Sequence, residues 1–228
     1  MSVLSRREIQ VRLRKKPDDE RGLIITPLLC GEEPFDADSV DLRLGCYFLL
    51  PKVLRTPFFC PDEKSATCLH DRVHVPLGRY LVVPAHQTIL GATLEFIKLP
   101  CDVSGEILTK SSVARTFIVV ETAPWIHPRY RGCLTLEIAN VSNTPVLLYP
   151  GRLIGQLILL DVSRHPTELP KLSHKYFGPV YPEGPKFVSP ADDLLKIGVH
   201  PTTILQQVPV EPELGVRKRV APDGCRKP

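Results

Sequence analysis

Three polar segments interrupt otherwise apolar, strand-like surroundings, and each has residue types that could carry chemistry. They are Asp38-Ser39-Val40-Asp41-Leu42-Arg43-Leu44-Gly45, the run Leu108 to Arg115 (LTKSSVAR), and the stretch from Glu121 to Asn140 that contains TAPWIH and GCLTLEIAN. Lys110-Ser111-Ser112-x-x-Arg115, placed directly after a strand, makes a cradle for a polyphosphate. Two hydroxyls and successive backbone N–H groups meet the anion at the start of a short helical turn, and Lys110 and Arg115 add fixed charge. Ser-rich turns beside cations are also common surface features, so the pattern alone does not name a ligand. Glu137 lies inside the apolar strand LTLEIA, where a buried carboxylate is costly unless it is paired or poised as a base. The other reading is simple strand alternation, with Glu137 on a solvated face beside Thr135; spacing leaves both open. The nearest approach to a metal cluster is Cys60, Cys68, His70 and His74, whose spacing matches no common zinc pattern.

The elements that must position these residues are mostly strands. The chain has 228 residues and 24 prolines, about twice the usual share, which argues against long helices. Apolar, β-branched runs recur at 79–83, 88–97, 103–108, 116–120, 133–139, 146–149 and 153–160, punctuated by PAHQ, KLPCD, VSNTP and YPGR. Short strands with turn signals between them indicate an all-β sandwich or barrel. No βαβ alternation is present, so a doubly wound sheet is excluded. One helix opens the chain: Ser5 with Glu8 reads as a capping box and Leu4 with Ile9 as the hydrophobic staple, and the helix is expected to run to about Lys16, before Pro17.

From Arg164 onward the character changes. Eleven prolines fall between Pro166 and Pro228, and a short helix is expected from Ser189 as N-cap through ADDLLKI. The layout read from this is a domain over 1–162, a segment over 163–198 with that helix, and a Pro-rich basic tail over 199–228. The last 13 residues carry +4, equal to the whole chain's surplus, so the rest is near neutral and a basic nucleic-acid-binding body is not supported. No stretch approaches a membrane span and no signal-peptide core is seen. Seven scattered cysteines without CxxC pairs fit reduced thiols. A cytoplasmic protein without membrane or nucleic-acid partners is the expectation.

Taken together and in order, these segments resemble the dCTP deaminase branch of the trimeric dUTPase superfamily. The family's SVD-x-RLG is matched by Ser39–Gly45, and its TLE, LP.D, G and KSS.AR by Thr93-Leu94-Glu95, Leu99-Pro100, Asp102, Gly105 and Lys110–Arg115. Its TA…G…LE..N is matched by Thr122-Ala123, Gly132, Leu136-Glu137 and Asn140, and PG..IGQL by Pro150-Gly151 and Ile154–Leu157. The opening helix, Leu4–Leu13, is also similar to the family's, and the resemblance covers residues 1 to about 162. It implies a mostly β, distorted-barrel or jelly-roll-like dUTPase-type subunit with an N-terminal helix. It further implies a homotrimer with nucleotide sites between subunits, and a nucleoside triphosphate bound with Mg²⁺ and without zinc. The zinc-deaminase signature, HxE followed by PCxxC, is absent here.

By position, the resemblance implies that Lys110, Ser111, Ser112 and Arg115 hold the phosphates and line the site, with Lys175 joining from the C-terminal segment. Glu137 would be the general base that takes a proton from water and later hands it to the base or the leaving ammonia. Ser111 and Arg115 would orient that water and stabilise charge at C4. Main-chain groups of Thr135, Leu136 and Glu137 would read the pyrimidine edge, and Ala123, His127 and Tyr130 would form the sugar pocket. The chain departs from the family at His127, where ID..Y.G has Asp, and at Pro124, where deaminases have His and bifunctional members Gly. His127 offers the sugar a hydrogen bond but no fixed anion, which counts against phosphate hydrolysis. Lys175-Tyr176, Gly178 and Gly184-Pro185 partly match the family's closing segment. The leading expectation is therefore a zinc-independent deaminase that converts dCTP, or a related cytosine nucleotide, to the uracil nucleotide and ammonia. The alternatives are a bifunctional enzyme that continues to dUMP and pyrophosphate, and a non-catalytic nucleotide-binding or assembly protein on the same trimeric scaffold.

Overall fold

In the computed structural model, which describes residues 2–29, 38–53, 69–121, 125–162 and 178–186, the capping signal at Ser5 is realised as a complete box. The Ser5 hydroxyl accepts from the Glu8 amide, and the Glu8 carboxylate accepts from the Ser5 amide at 2.8 Å. Leu4 and Ile9 are both buried, as the staple requires. The helix ends at Leu13 rather than near Lys16. The Arg12 carbonyl, which another turn would offer to the Lys16 amide, is instead taken by the amides of Lys15 and Leu23, and Arg14 caps the end. Arg12 also makes a two-pronged pair with Asp102, at 2.8 and 3.0 Å, so the Asp of the LP.D match is a structural anchor.

The elements in chain order are β1 (Ser2–Val3), α1 (Arg6–Leu13), β2 (Ile24–Thr26), β3 (Ser39–Arg43), β4 (Tyr47–Pro51), β5 (His70–His74), β6 (Leu81–Val83), β7 (Thr88–Lys98), β8 (Val103–Thr109), α2 (Ser111–Ala114), β9 (Ile118–Glu121), β10 (Arg131–Asn140), β11 (Val146–Leu148) and β12 (Leu153–Asp161). The mostly β expectation holds. Strands were expected at each of β6 to β12, with ends displaced by one to two residues; β1 to β5 add to that reading. The helix expected from Ser189 lies outside the described residues.

One sheet centres on β12, which pairs antiparallel with β8 along one edge and with β3 and β1 along the other. The second runs β5-β4-β7-β10-β9, with β2 also on β7, and β6 pairs with β11 separately. The inner residues of both sheets, among them Val40, Leu42, Ile97, Leu136, Ile138 and Leu157, form one continuous core. One bridge, Leu44–Thr93, joins the sheets, and a second, Gly105–Ile126, ties β8 to the connection between β9 and β10. The second needs glycine: a Cβ on Gly105 would lie 3.0 Å from Leu157 Cδ1 and 3.4 Å from Ile126 Cδ1.

Asn140, in the LE..N match, is a structural hub. Its buried amide nitrogen donates to the carbonyls of Val83, Pro84 and Thr144, while its oxygen accepts from the Ser142 amide and hydroxyl. It thereby ties the end of β10 to the β6–β11 pair. Among the described residues no helix is long and apolar enough to cross a membrane.

Candidate functional site

The polar turn begins where β8 ends. Thr109 Oγ1 accepts from the Val120 amide and donates to the Val120 carbonyl, both at 2.8 Å, which clamps the start of the turn to β9. The Lys110 carbonyl then takes the amides of Val113 and Ala114 and starts α2. Ser111 and Ser112 are the first two residues of this four-residue turn, so their N–H groups have no acceptor within it. Their side chains and that of Arg115 are exposed. The turn therefore presents N–H donors, two hydroxyls and one guanidinium to solvent, as a polyphosphate cradle requires.

Lys110 is engaged differently. Its ammonium lies 2.6 Å from Asp41 Oδ2, with both side chains largely shielded. The pair pins β3 to the turn, and through it two segments that stood out in sequence, 69 residues apart, meet in space. The other Asp41 oxygen is buried without a hydrogen bond. The charge of Lys110 is thus already matched by the protein, whereas Arg115 pairs with no acidic group among the described residues.

On β10 the alternation is regular from Leu134 to Asn140: even-numbered residues are buried, while Thr135, Glu137 and Ala139 face outward. Of the two readings of Glu137, the single chain supports the outward one. Glu137 is exposed, stands opposite Leu90 on β7 and Glu121 on β9, and has no hydrogen bond or ion pair with a described residue. Two carboxylates face each other across the strands, an arrangement that favours neither unless a ligand or another chain brings positive charge. Leu136 is buried, so only its main chain is available to a ligand. Among the described residues β9 pairs with β10 only over 137–140; residues 178–183 run beside the earlier part of the strand. Gly178 and Cys133 donate from their amides to the carbonyls of Arg131 and Pro179, and the Glu183 amide donates to Thr135 Oγ1. The crossing needs Gly132, at φ +141°: a Cβ there would sit 2.5 Å from Pro179 Cδ.

Ser111 and Arg115 sit in the turn that leads from β8 of one sheet to β9 of the other, and neither bonds to Glu137 on β10 within one chain. Ile118 pairs with Asn140, which puts the turn beside the end of β10, three residues and about 10 Å along the strand from Glu137.

In the expected sugar pocket, His127 is exposed and follows Ile126, whose amide and carbonyl both bond to Gly105. Tyr130 is committed to structure. Its phenol donates to the Cys133 carbonyl at 2.9 Å, and burial pushes its pKa well above the usual tyrosine value. Ala123 and Lys175 lie outside the described residues, as do Cys60 and Cys68. Among the described residues, no group of three metal-ligating side chains is gathered.

Sequence reasoning passed over Glu95, in the middle of β7. It is only 3% exposed, and Oε2 accepts from the Arg43 amide at 2.9 Å. Burial pushes its carboxyl up to about 7, against the pull of that N–H, its own amide and the Arg43 guanidinium. The signal was present: Ile89, Gly91, Thr93, Glu95 and Ile97 share one parity, and that parity is the core's.

Comparison with known proteins gives a consistent picture. A family model described as dCTP deaminase-like matches residues 3–162. The dUMP-forming dCTP deaminase of Methanobrevibacter smithii is 33% identical over 189 residues, spanning 80% of this chain and 94% of that protein. That of Mycolicibacterium paratuberculosis is 37% identical over 163 residues, 68% of this chain and 85% of the relative. Among solved structures, a 2′-deoxycytidine 5′-triphosphate deaminase from Agrobacterium tumefaciens superposes with a TM-score of 0.52 at 21% identity. That match covers 69% of this chain and 47% of the other, just under half its length, and is a likeness of fold.

Proposed function

The chain belongs to the dCTP deaminase-like family of enzymes, and from that premise we propose that it hydrolyses the 4-amino group of dCTP, releasing ammonia and the uracil nucleotide. One observation carries this reading: the outward-facing, uncompensated trio Ser111, Arg115 and Glu137, in a chain 33% identical to a dCTP deaminase along nearly that relative's whole length. In this reading the phosphates rest on the N–H groups and hydroxyls of Ser111 and Ser112 and on the Arg115 guanidinium. Lys110 acts through Asp41, holding the turn at a fixed distance from β3. Glu137 takes a proton from water as the oxygen adds to C4, then returns it to the departing nitrogen. Ser111 and Arg115 orient that water and offset charge that builds near C4. The main chain of 135–137 reads the base edge.

Within one chain the turn and Glu137 make no bond, so the reading includes assembly: a homotrimer would set the turn of one copy against Glu137 of another. Exposed Phe117 and Val141, beside the turn, supply apolar surface for such a contact. Magnesium riding on a triphosphate keeps most of its waters and needs few protein ligands. The donor set here suits an anion, so the residues fit a metal that arrives with the nucleotide and neutralises phosphate charge there. The match over 3–162 supports a catalytic domain at 1–162; the partial motif match at 175–185 and the Pro-rich composition are what favour 163–198 as a closing segment and 199–228 as a tail.

A second reading concerns the product. Both relatives named above are dUMP-forming, which favours a further loss of pyrophosphate, whereas His127 in place of an acidic residue favours a stop at dUTP. The test is incubation with the common ribo- and deoxyribonucleoside triphosphates plus Mg²⁺, with products identified by mass spectrometry. dUTP or dUMP arising from dCTP alone supports the proposal, and the mass of the product decides between the two endpoints. Absence of turnover of any cytosine nucleotide overturns it.

A further inference from the structure

Three of the sequence's marked segments meet at one irregularity in the sheet. Between the pairs Cys133–Phe96 and Thr135–Ala92, β10 has one residue, Leu134, and β7 has three, Thr93, Leu94 and Glu95. The bulge leaves the Leu134 amide without a strand partner, and Thr93 supplies one. Its buried hydroxyl accepts from the Leu134 amide at 2.9 Å and donates to the Glu95 carbonyl at 2.8 Å, so its hydrogen-bonding is spent inside the bulge. The end of β3 docks at the same three residues. The Gly45 amide donates to the Ala92 carbonyl at 2.8 Å, Leu44 bridges to Thr93, and the Arg43 amide donates to Glu95 Oε2. A Cβ on Gly45 would lie 3.0 Å from the Ala92 oxygen, so the approach is as close as backbone allows.

We propose that the Thr93-Leu94-Glu95 bulge is the register-setting junction of the candidate site, with Thr93 positioning the strand that carries Glu137 and Glu95 positioning the strand that carries Asp41. The inference rests on the deaminase reading for what the site does, and on geometry for how it is held. Bulges pin register and re-aim side chains beside active sites. Leu134 lies three residues before Glu137, and a slip of one residue on β10 would turn Glu137 into the core and Leu136 outward. Asp41 lies two residues before Arg43, on the strand whose end Glu95 receives, and it is Asp41 that fixes Lys110 and the phosphate turn. Thr93 and Glu95 are therefore positioning residues, each acting through a different half of the site.

The test uses the full chain with Thr93→Val, Thr93→Ser and Glu95→Leu, and reads two quantities: steady-state dCTP deamination, and backbone hydrogen exchange by segment. Thr93→Val, which keeps shape and loses the hydroxyl, is expected to lower kcat roughly ten- to a hundredfold, as a misplaced catalytic group does, with KM changed by less than about threefold. Exchange should rise over 133–137 and not over 40–45. Thr93→Ser should restore both readouts. Glu95→Leu should do the converse, raising KM about tenfold and loosening 40–45, while kcat falls less. Exchange that rises evenly through both segments, or a Thr93→Val enzyme altered in KM alone, overturns the proposal. If the wild-type protein turns over no nucleotide, the deaminase reading fails. The junction is then judged by the exchange pattern, where a split between the two segments supports it and a uniform change sinks it.

Discussion

Glu95 and Glu137 occupy adjacent, directly paired strands, and each has apolar neighbours in sequence, yet they sit in opposite environments. Glu95 is sealed in the core against the Arg43 amide, and its carboxyl is pushed up to about 7 by burial. Glu137 faces out toward a second carboxylate, with no described donor near it. The protein has spent hydrogen bonds and desolvation on one and nothing on the other. A buried carboxylate that the fold itself satisfies is a structural device. An exposed carboxylate set against another like it is, in the proposed reading, a group whose partners arrive from outside the chain. On that reading the chemistry belongs to β10 and the scaffolding to β7.

The partly buried pair Lys110–Asp41 lies on the scaffolding side of this divide and, with Glu95, gives one of the two largest expected effects on stability. Lys110→Met strips Asp41 of the partner of Oδ2 while Oδ1 already lacks one, and should cost about 3 kcal/mol by chemical denaturation, as for a broken buried pair. A loss below ~1 kcal/mol, the size of an exposed pair, would move this contact to the outward class. Glu95 follows. Its folded value, about 7, lies above the ordinary glutamate 4.5, so the neutral form is favoured on folding. The stability tied to it is fully present below pH 4.5 and is lost as pH rises through 7, amounting to roughly 2–4 kcal/mol. Glu95→Gln should flatten that part of the wild-type stability curve and leave turnover nearly intact, since the amide oxygen still accepts from Arg43. A pH dependence unchanged in the variant would break the contrast.

Gly132→Ala probes the strip where residues 178–183 lie along β10. With φ at +141° and Pro179 2.5 Å from the new carbon, it should lower stability by about 1–2 kcal/mol, beyond the usual Gly-to-Ala conformational effect. Limited proteolysis should then cut sooner near Pro179. The smallest effect is expected on the outward side: Glu121→Gln removes a like charge opposite Glu137 and should raise stability by about 0.2–1 kcal/mol, with the gain shrinking in salt. A loss there would show that the pair is already compensated.

Much of this was legible in the chain before any coordinates. Strong period-2 runs located β6 to β12, and the capping box placed α1, because both are local patterns backed by burial. β5, His-Asp-Arg-Val-His, was not legible: it is held by pairing with β4 and by stacking of His74 on Tyr47, with no apolar face to mark it. The helix overran by three residues because the acceptor that stops it, the Arg12 carbonyl, is claimed by Leu23, a contact no window reveals. Ser111, Arg115 and Glu137 stood out by residue type. Strand parity separates the two glutamates: Glu95 shares that of buried Ile89 and Ile97, and Glu137 that of outward-facing Thr135 and Ala139. The Thr93 bulge and the Asp41–Lys110 pair were out of reach, since a register shift and a 69-residue contact exist only in the assembled sheets.

Ammonia release from dCTP by Glu137→Gln, with bound dCTP measured in the same sample, tests most directly whether the outward carboxylate performs the chemistry. For a general base, kcat should fall by roughly 10²–10⁴ with dCTP occupancy little changed. Release at the wild-type rate from a fully occupied Glu137→Gln protein would contradict it.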